Sequence, residues 1–126
     1  MMQPNTYINE ATLTMSALAA GSTVQSSTLV NQAWRGVVVV IDITALGASA
    51  TLTVTVEGYD PKANKYYTIL ASAALAATGT TILRVYPGLT ASANAVANDI
   101  LPTQWRVKAV TAVQTVTGTV SAHAII

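Results

Sequence analysis

Apolar and polar residues alternate with a period of two along most of the chain, and this pattern predicts β-strands. In residues 50–58, apolar side chains at every second position oppose threonines and Glu57. Glu57 is therefore predicted to face outward. The same alternation recurs in residues 103–110 and 115–125, where Thr, Val and Ile suit a pleated, half-buried surface. Three half-buried strands follow from these stretches.

Residues 36–44 break the alternation, because both faces of this predicted strand are apolar. Such a strand is expected to be covered on both faces, by a loop, a terminal arm or another subunit on the second side. Asp42 interrupts it, and a buried carboxylate is costly unless it is paired. We expect Asp42 to pair with Arg35, Arg84 or Arg106, or to lie at the exposed end of the strand.

Further strands bring the predicted total to about eight, which is typical of an antiparallel sandwich or barrel. The predicted fold is all-β, an antiparallel β-sandwich of jelly-roll-like type, forming one domain over residues 13–126. Residues 1–12 contain proline, two asparagines and few bulky apolar groups, and are predicted to form an extended N-terminal arm. The additional predicted strands cover residues 12–17, 22–29, 65–71 and 80–86.

The stretch "EGYDPKANKYYTIL", residues 57–70, combines charge, a turn and paired tyrosines. Asp60 suits the first position of a turn, Pro61 presets the next backbone angle, and Asn64 tolerates the left-handed conformation that closes such a loop. Hairpin geometry alone explains the loop. The three tyrosines that flank the tip are interpreted as cross-strand partners; they are Tyr59, Tyr66 and Tyr67.

One long connection, residues 88–102, precedes the strand that contains Trp105. Asn94, Asn98 and Asp99 offer turn or capping chemistry, and a connection of this length is usually functional or an extended contact arm. Gly118 interrupts the apolar row of the last strand and predicts a bulge or a close backbone approach.

The chain is weakly charged, with 9% charged residues, 52% hydrophobic residues and a net charge of +1. A surface covered by Thr, Ser, Ala and Asn suits a protein packed against neighbours. The six cations are spread along the sequence, which argues against nucleic acid as a partner. The start lacks a secretory signal pattern and no apolar run is long enough for a membrane span, so no membrane partner is expected.

Little in the sequence could build a catalytic site. His123 is the only histidine, and it falls on the Thr and Ser row of the last strand, where it is interpreted as an exposed polar residue. There is no cysteine, and no nucleotide, nucleophile-elbow or metal-binding motif occurs. We therefore predict that the protein is not an enzyme and uses no cofactor; no metal site is assigned, and an oxygen-ligand site formed by Asp99 and the neighbouring asparagines stays open at this point.

Three motifs resemble a group of small structural proteins of tailed bacteriophages, described as head decoration, cement or minor capsid proteins. They are Gly-Tyr-Asp-Pro at 58–61, Arg-Val-Tyr-Pro-Gly at 84–88 and Leu-Pro-x-x-Trp-Arg-Val at 101–107, and the resemblance covers roughly residues 50–110. It implies a β-sandwich displayed on the capsid surface of the virion, made in the host cytoplasm and often trimeric. The implied partners are the major capsid protein and further copies of the chain.

Two other functions stay open at this point: a tail or head-fibre component, and a carbohydrate-binding sandwich that uses exposed tyrosines. A glycan array separates the last from the others, and copy number in virions separates cement from fibre. The residues predicted to contact the capsid or a second subunit are Tyr7, Ile8, Tyr59, Tyr66, Tyr67, Leu89, Asn94 and Asn98.

Overall fold

A computed structural model of the chain describes residues 8–31 and 33–125, and this part consists of strands and loops. No helix that could cross a membrane occurs among the described residues. The strands are β1 (Ile8–Leu18), β2 (Thr23–Gln25), β3 (Leu29–Val30), β4 (Gly36–Leu46), β5 (Thr51–Asp60), β6 (Lys65–Ala71), β7 (Gly79–Val85), β8 (Val96–Ala97), β9 (Gln104–Ala112) and β10 (Val116–Ile125).

The strands form two sheets. Sheet A has the order β1-β10-β4-β7-β8, and sheet B has the order β2-β9-β5-β6, with β3 also paired to β9. All pairings are antiparallel except that of β7 with β8. This confirms the predicted all-β fold with two mostly antiparallel sheets.

The pairing is nested around one hairpin. β5 pairs with β6 at the centre, and moving outward β4 pairs with β7, β2 with β9, and β1 with β10. Successive pairs alternate between the two sheets, so the chain is a long antiparallel ribbon wrapped into a sandwich. This is the strand order of a jelly roll, and its tip is the hairpin at residues 60–65.

The core lies between the inner faces of the two sheets. Alternate residues of β9 and β10 are buried, as their sequence patterns predict, and β5 follows its pattern up to Val54, beyond which Thr55, Glu57 and Gly58 are buried as well. The largest side chains with almost no exposed surface are Trp105, Met15, Ile41, Leu52 and Leu83.

The predicted strand at 22–29 and the predicted long connection at 88–102 differ in detail from the observed structure. Residues 22–29 form two short strands, since Ser26 bends the chain between them: its N donates to Val107 O at 2.9 Å and its Oγ accepts from Val107 N at 3.1 Å. The long connection contains β8. These additions raise the number of strands over the described residues from the predicted eight to ten.

The predicted N-terminal arm is wrong for residues 8–12. These residues belong to β1, and Ile8 pairs with Ala124 while Thr12 pairs with Ser121. The sparse apolar content of this stretch misled the prediction, because edge pairing with β10 satisfies the backbone without large side chains. Residues 1–7, including Tyr7, lie outside the described residues.

Deletion of residues 1–12 is expected to lower the melting temperature more than deletion of residues 1–7. The longer deletion removes the β1 residues that pair with β10 from Ile8 to Thr12, and each kcal/mol lost lowers the melting temperature of a chain this size by about 4 °C. Differential scanning calorimetry of both truncated chains measures the difference. Equal melting temperatures would show that this end of β1 contributes nothing to stability.

Residues 37–41 are less covered than predicted. The inner row of β4 is fully buried, but Val38 and Val40 are half-buried on the outer face of sheet A. Asp42 continues that outer row and is exposed, with Thr119 and Thr80 beside it on the neighbouring strands. Asp42 is thus exposed, as one of the two expectations has it, although it lies within β4 rather than at the end of the strand.

Gly118 marks a close backbone approach, as predicted. A Cβ at this position would lie 2.2 Å from the carbonyl oxygen of Asp42, and the register between β10 and β4 shifts between Thr117 and Gly118. Only glycine fits this contact without moving β4.

Candidate functional site

The hairpin tip and the end of the long connection form one cleft. β5 and β9 are neighbours in sheet B, with Gly58 directly opposite Trp105, so the residues that follow Gly58 meet those that precede Trp105. The cleft has a volume of about 440 Å³ and is lined by Tyr59, Pro61, Pro102, Thr103 and Gln104. Two segments that are about forty residues apart in sequence thus form one candidate site.

The hairpin turn follows the predicted chemistry. Asn64 has a φ of 57°, in the left-handed region. Asp60 Oδ1 accepts a hydrogen bond of 3.0 Å from the backbone N of Lys62, which closes the first part of the turn. Asn64 also accepts a hydrogen bond at Oδ1 from the hydroxyl of Tyr59. The turn therefore fixes one wall of the cleft.

Asn64→Val is expected to destabilise the protein by about 1–3 kcal/mol, because a β-branched residue is strained at this positive φ. Asn64→Gly relieves the backbone and loses only the exposed hydrogen bond from Tyr59, so it should melt close to the wild type. Thermal melts of the two variants test the difference. If Val melts level with Gly, the left-handed conformation at residue 64 is not required.

Tyr59 and Tyr66 form a packed pair on the outer face of sheet B. Their ring centroids are 4.7 Å apart with an interplanar angle of 46°. The guanidinium carbon of Arg106 lies 3.5 Å from the centroid of the Tyr66 ring, and the Tyr66 hydroxyl is hydrogen-bonded to Thr28. The predicted cross-strand pairing is confirmed for these two tyrosines, and contacts on several sides hold their rings in place.

Glu57 is buried, which corrects the prediction that it faces outward into solvent. It lies on the outer row of β5, yet it is only 6% exposed because longer side chains surround it. Its Oε1 is 2.7 Å from Nε of Arg106, and its Oε2 is 3.3 Å from Nζ of Lys108. The period-two pattern gave the correct face but could not show that two cations on β9 cover the carboxylate.

The other predicted contact residues do not join the cleft. Tyr67 is 48% exposed, and its ring lies against Gly58 on the opposite side of β6 from Tyr66. Asn94 has a φ of 61°, and Asn98 Oδ1 accepts a 2.8 Å hydrogen bond from the backbone N of Gly88. Both asparagines thus shape the long connection, in which Leu89 is half-buried. Ile8 lies in β1.

His123 lies on the outer row of β10, as predicted, but it is half-buried rather than exposed. Val38 of β4 is its cross-strand neighbour. Burial lowers the pKa of His123 below its ordinary value of 6.5. The histidine is therefore neutral in the folded protein at neutral pH.

Stability is expected to fall as the pH drops below about 6.5. Below this pH the unfolded chain takes up a proton at His123, whereas the folded protein takes it up only when the pH reaches its lowered pKa. Above about pH 6.5 the histidine is neutral in both states, so it contributes no pH dependence to the stability. Melting temperatures of the wild type and His123→Gln, measured between pH 8 and pH 5, test this. A difference between the two curves that stays constant with pH would contradict it.

The walls of the cleft offer apolar surface and hydrogen-bonding groups to a ligand. No group of three or more potential metal-ligating side chains occurs among the described residues, and the outer-row cations Arg106 and Lys108 of β9 are held in ion pairs with Glu57. Sequence reasoning missed Pro102, Thr103 and Gln104, since their role depends on the pairing of β5 with β9. The aromatic and proline residues near both segments are the only sequence signal for the cleft.

No family model, curated protein or solved structure gives a significant match to the chain. The assignment of function therefore depends on the residues and their geometry.

Proposed function

We infer that the protein is a bacteriophage capsid decoration protein that binds the outer surface of the head through the outer face of sheet A. The observation that carries this proposal is the composition of that face. It presents mainly hydroxyl and small apolar side chains, and among the residues whose burial is described its outer rows hold two formal charges, Asp42 and Arg84, while Glu10 falls at the irregularity of β1 between Asn9 and Ala11.

The hydroxyl residues of this face are paired across strands. Thr14 lies opposite Thr119, and Thr12 lies opposite Ser121. Beside them, Val38, Val40 and Ile82 are half-buried. A weakly charged surface with half-covered valines loses less hydration free energy when another protein covers it than a charge-rich surface does, and Asp42 and Arg84 are the charged groups that need partners in such a contact. The face thus suits a permanent protein contact.

Two further observations support the proposal. The motifs at 58–61, 84–88 and 101–107 resemble those of phage head proteins. The strand order is that of a jelly roll, a fold that viral capsid proteins and lectins use. The second point is an analogy at the level of fold, because one fold supports many functions. On this proposal the partners are the major capsid protein and further copies of the chain, with a trimer favoured.

A substitution that places a charge on the outer face of sheet A tests the attachment to the head. Thr14→Glu puts a carboxylate on the exposed outer row of β1, and Thr23→Glu makes the same change on exposed β2 of sheet B. In sedimentation with capsids that lack the protein, Thr14→Glu should lose occupancy and Thr23→Glu should retain it. Equal occupancy of the capsids by both variants would show that the outer face of sheet A does not contact the capsid.

Copy number tests the location in the virion. A decoration protein should be present in purified virions in a copy number similar to that of the major capsid protein, whereas a tail or head-fibre component is far rarer. Quantitative mass spectrometry of virions gives this ratio. A low ratio would favour the fibre alternative.

A further inference from the structure

We propose that the cleft between the hairpin tip and the end of the long connection binds a neutral saccharide. This activity does not depend on the capsid-binding proposal, because the cleft belongs to sheet B while the neutral face belongs to sheet A. A molecule attached through sheet A would leave the cleft open.

The lining of the cleft carries no formal charge. Its five residues are a tyrosine, two prolines, a threonine and a glutamine. Asp60 and Lys62 flank Pro61 but are exposed at the hairpin tip, and Arg106 is bound by Glu57 and lies over the Tyr66 ring. A charged ligand inside the cleft would lose hydration without an ion-pair partner among the lining residues, so a neutral ligand is favoured.

One polar group in the lining has no partner. Oε1 of Gln104 is buried and accepts no hydrogen bond from the described residues. A buried unsatisfied acceptor is unfavourable by about 1–3 kcal/mol, and a ligand in the cleft can supply a donor after a small rotation of the amide. Sugar hydroxyls both donate and accept, so they complement either end of the amide.

The apolar walls fit the C–H faces of a sugar ring. Tyr59, Pro61 and Pro102 provide this surface, and the volume of about 440 Å³ is within the range of small-molecule sites. Strand addition by a peptide is disfavoured, because β5 and β9 are both paired on two sides and offer no free backbone edge.

The walls are ordered before any ligand arrives. The Tyr59 hydroxyl is bound to Asn64 and its ring packs on Tyr66, while both prolines restrict the backbone. Little side-chain entropy is lost on binding, so even a small ligand gains affinity from the site.

The test is a glycan array probed with the labelled full-length protein, followed by calorimetric titration of the best saccharide. Gln104→Leu removes the amide, and it should keep or raise the melting temperature while weakening binding at least about tenfold, the loss of one hydrogen bond. Gln114→Leu makes the same change on an exposed loop at the other end of the sandwich, and it should bind like the wild type.

Two results would overturn the proposal: no glycan bound by the wild-type protein, or full binding by Gln104→Leu. Should Gln104→Leu fail to fold, Tyr59→Ala replaces it, with circular dichroism to confirm the fold. Loss of binding in Tyr59→Ala supports the site, and unchanged binding rejects it. Failure of saccharide binding leaves the sedimentation result for sheet A unaffected, so the two proposals are judged separately.

Discussion

Trp105→Ala should destabilise the protein by about 3–5 kcal/mol, the largest effect expected of any single substitution described here. The indole is 1% exposed, and its strand neighbours are Gly58 on β5 and Leu29 on β3. Gly58, which lies directly opposite, has no side chain that could fill the space that the indole leaves. Urea unfolding followed by circular dichroism measures the loss.

Trp34→Ala is the matched control for this experiment. Trp34 is the other tryptophan of the chain, and it is half-buried at the margin of the core. Its truncation should lower stability clearly less than that of Trp105. A loss below about 1 kcal/mol for Trp105→Ala would mean that the two sheets close over the cavity, and the indole would then be dispensable for the core.

Glu57→Ala should destabilise the protein by about 3 kcal/mol, because it leaves two cations side by side without their shared carboxylate. The side chain of Glu57 is 8% exposed and those of Arg106 and Lys108 are 16% and 29% exposed. Since water reaches both cations partly, the effect lies at the lower end of the range for buried pairs. Urea unfolding at low and high salt measures it.

Asp42→Ala serves as the control for Glu57→Ala. Asp42 is an exposed carboxylate on the outer row of sheet A, so its loss should change stability by less than about 0.5 kcal/mol. The salt dependence separates the roles further, since added salt should partly restore Glu57→Ala by screening the two cations. Similar losses for the two variants would contradict the buried ion-pair network.

The local patterns predicted much of the fold. Alternation identified β5, β9 and β10 because each strand has one face in the core. Turn chemistry identified the hairpin because Asp60 accepts a hydrogen bond from the nearby backbone and Asn64 adopts the left-handed conformation itself. Both signals come from neighbours in sequence. The start of β1 carried no such signal, since its stability comes from hydrogen bonds to a distant strand.

The candidate site was less predictable for a physical reason. Glu57 is buried by Arg106 and Lys108, and Tyr59 meets Gln104 only because β5 and β9 are paired in one register. A shift of one residue would place these side chains on opposite faces. Register between distant strands is set by the whole core, so no short stretch of sequence encodes this site.

The nested pairing of the ribbon affects the rate at which the protein folds. Among the nested pairs, only the central hairpin brings together residues close in sequence; the outermost pair joins β1 to β10, as in the hydrogen bond from Ala17 N to Thr117 Oγ1 across 100 residues. Such a high contact order predicts slow folding, on the order of milliseconds to seconds. The sandwich should therefore assemble outward from β5 and β6, and β1 should be the last strand to dock and the first to detach.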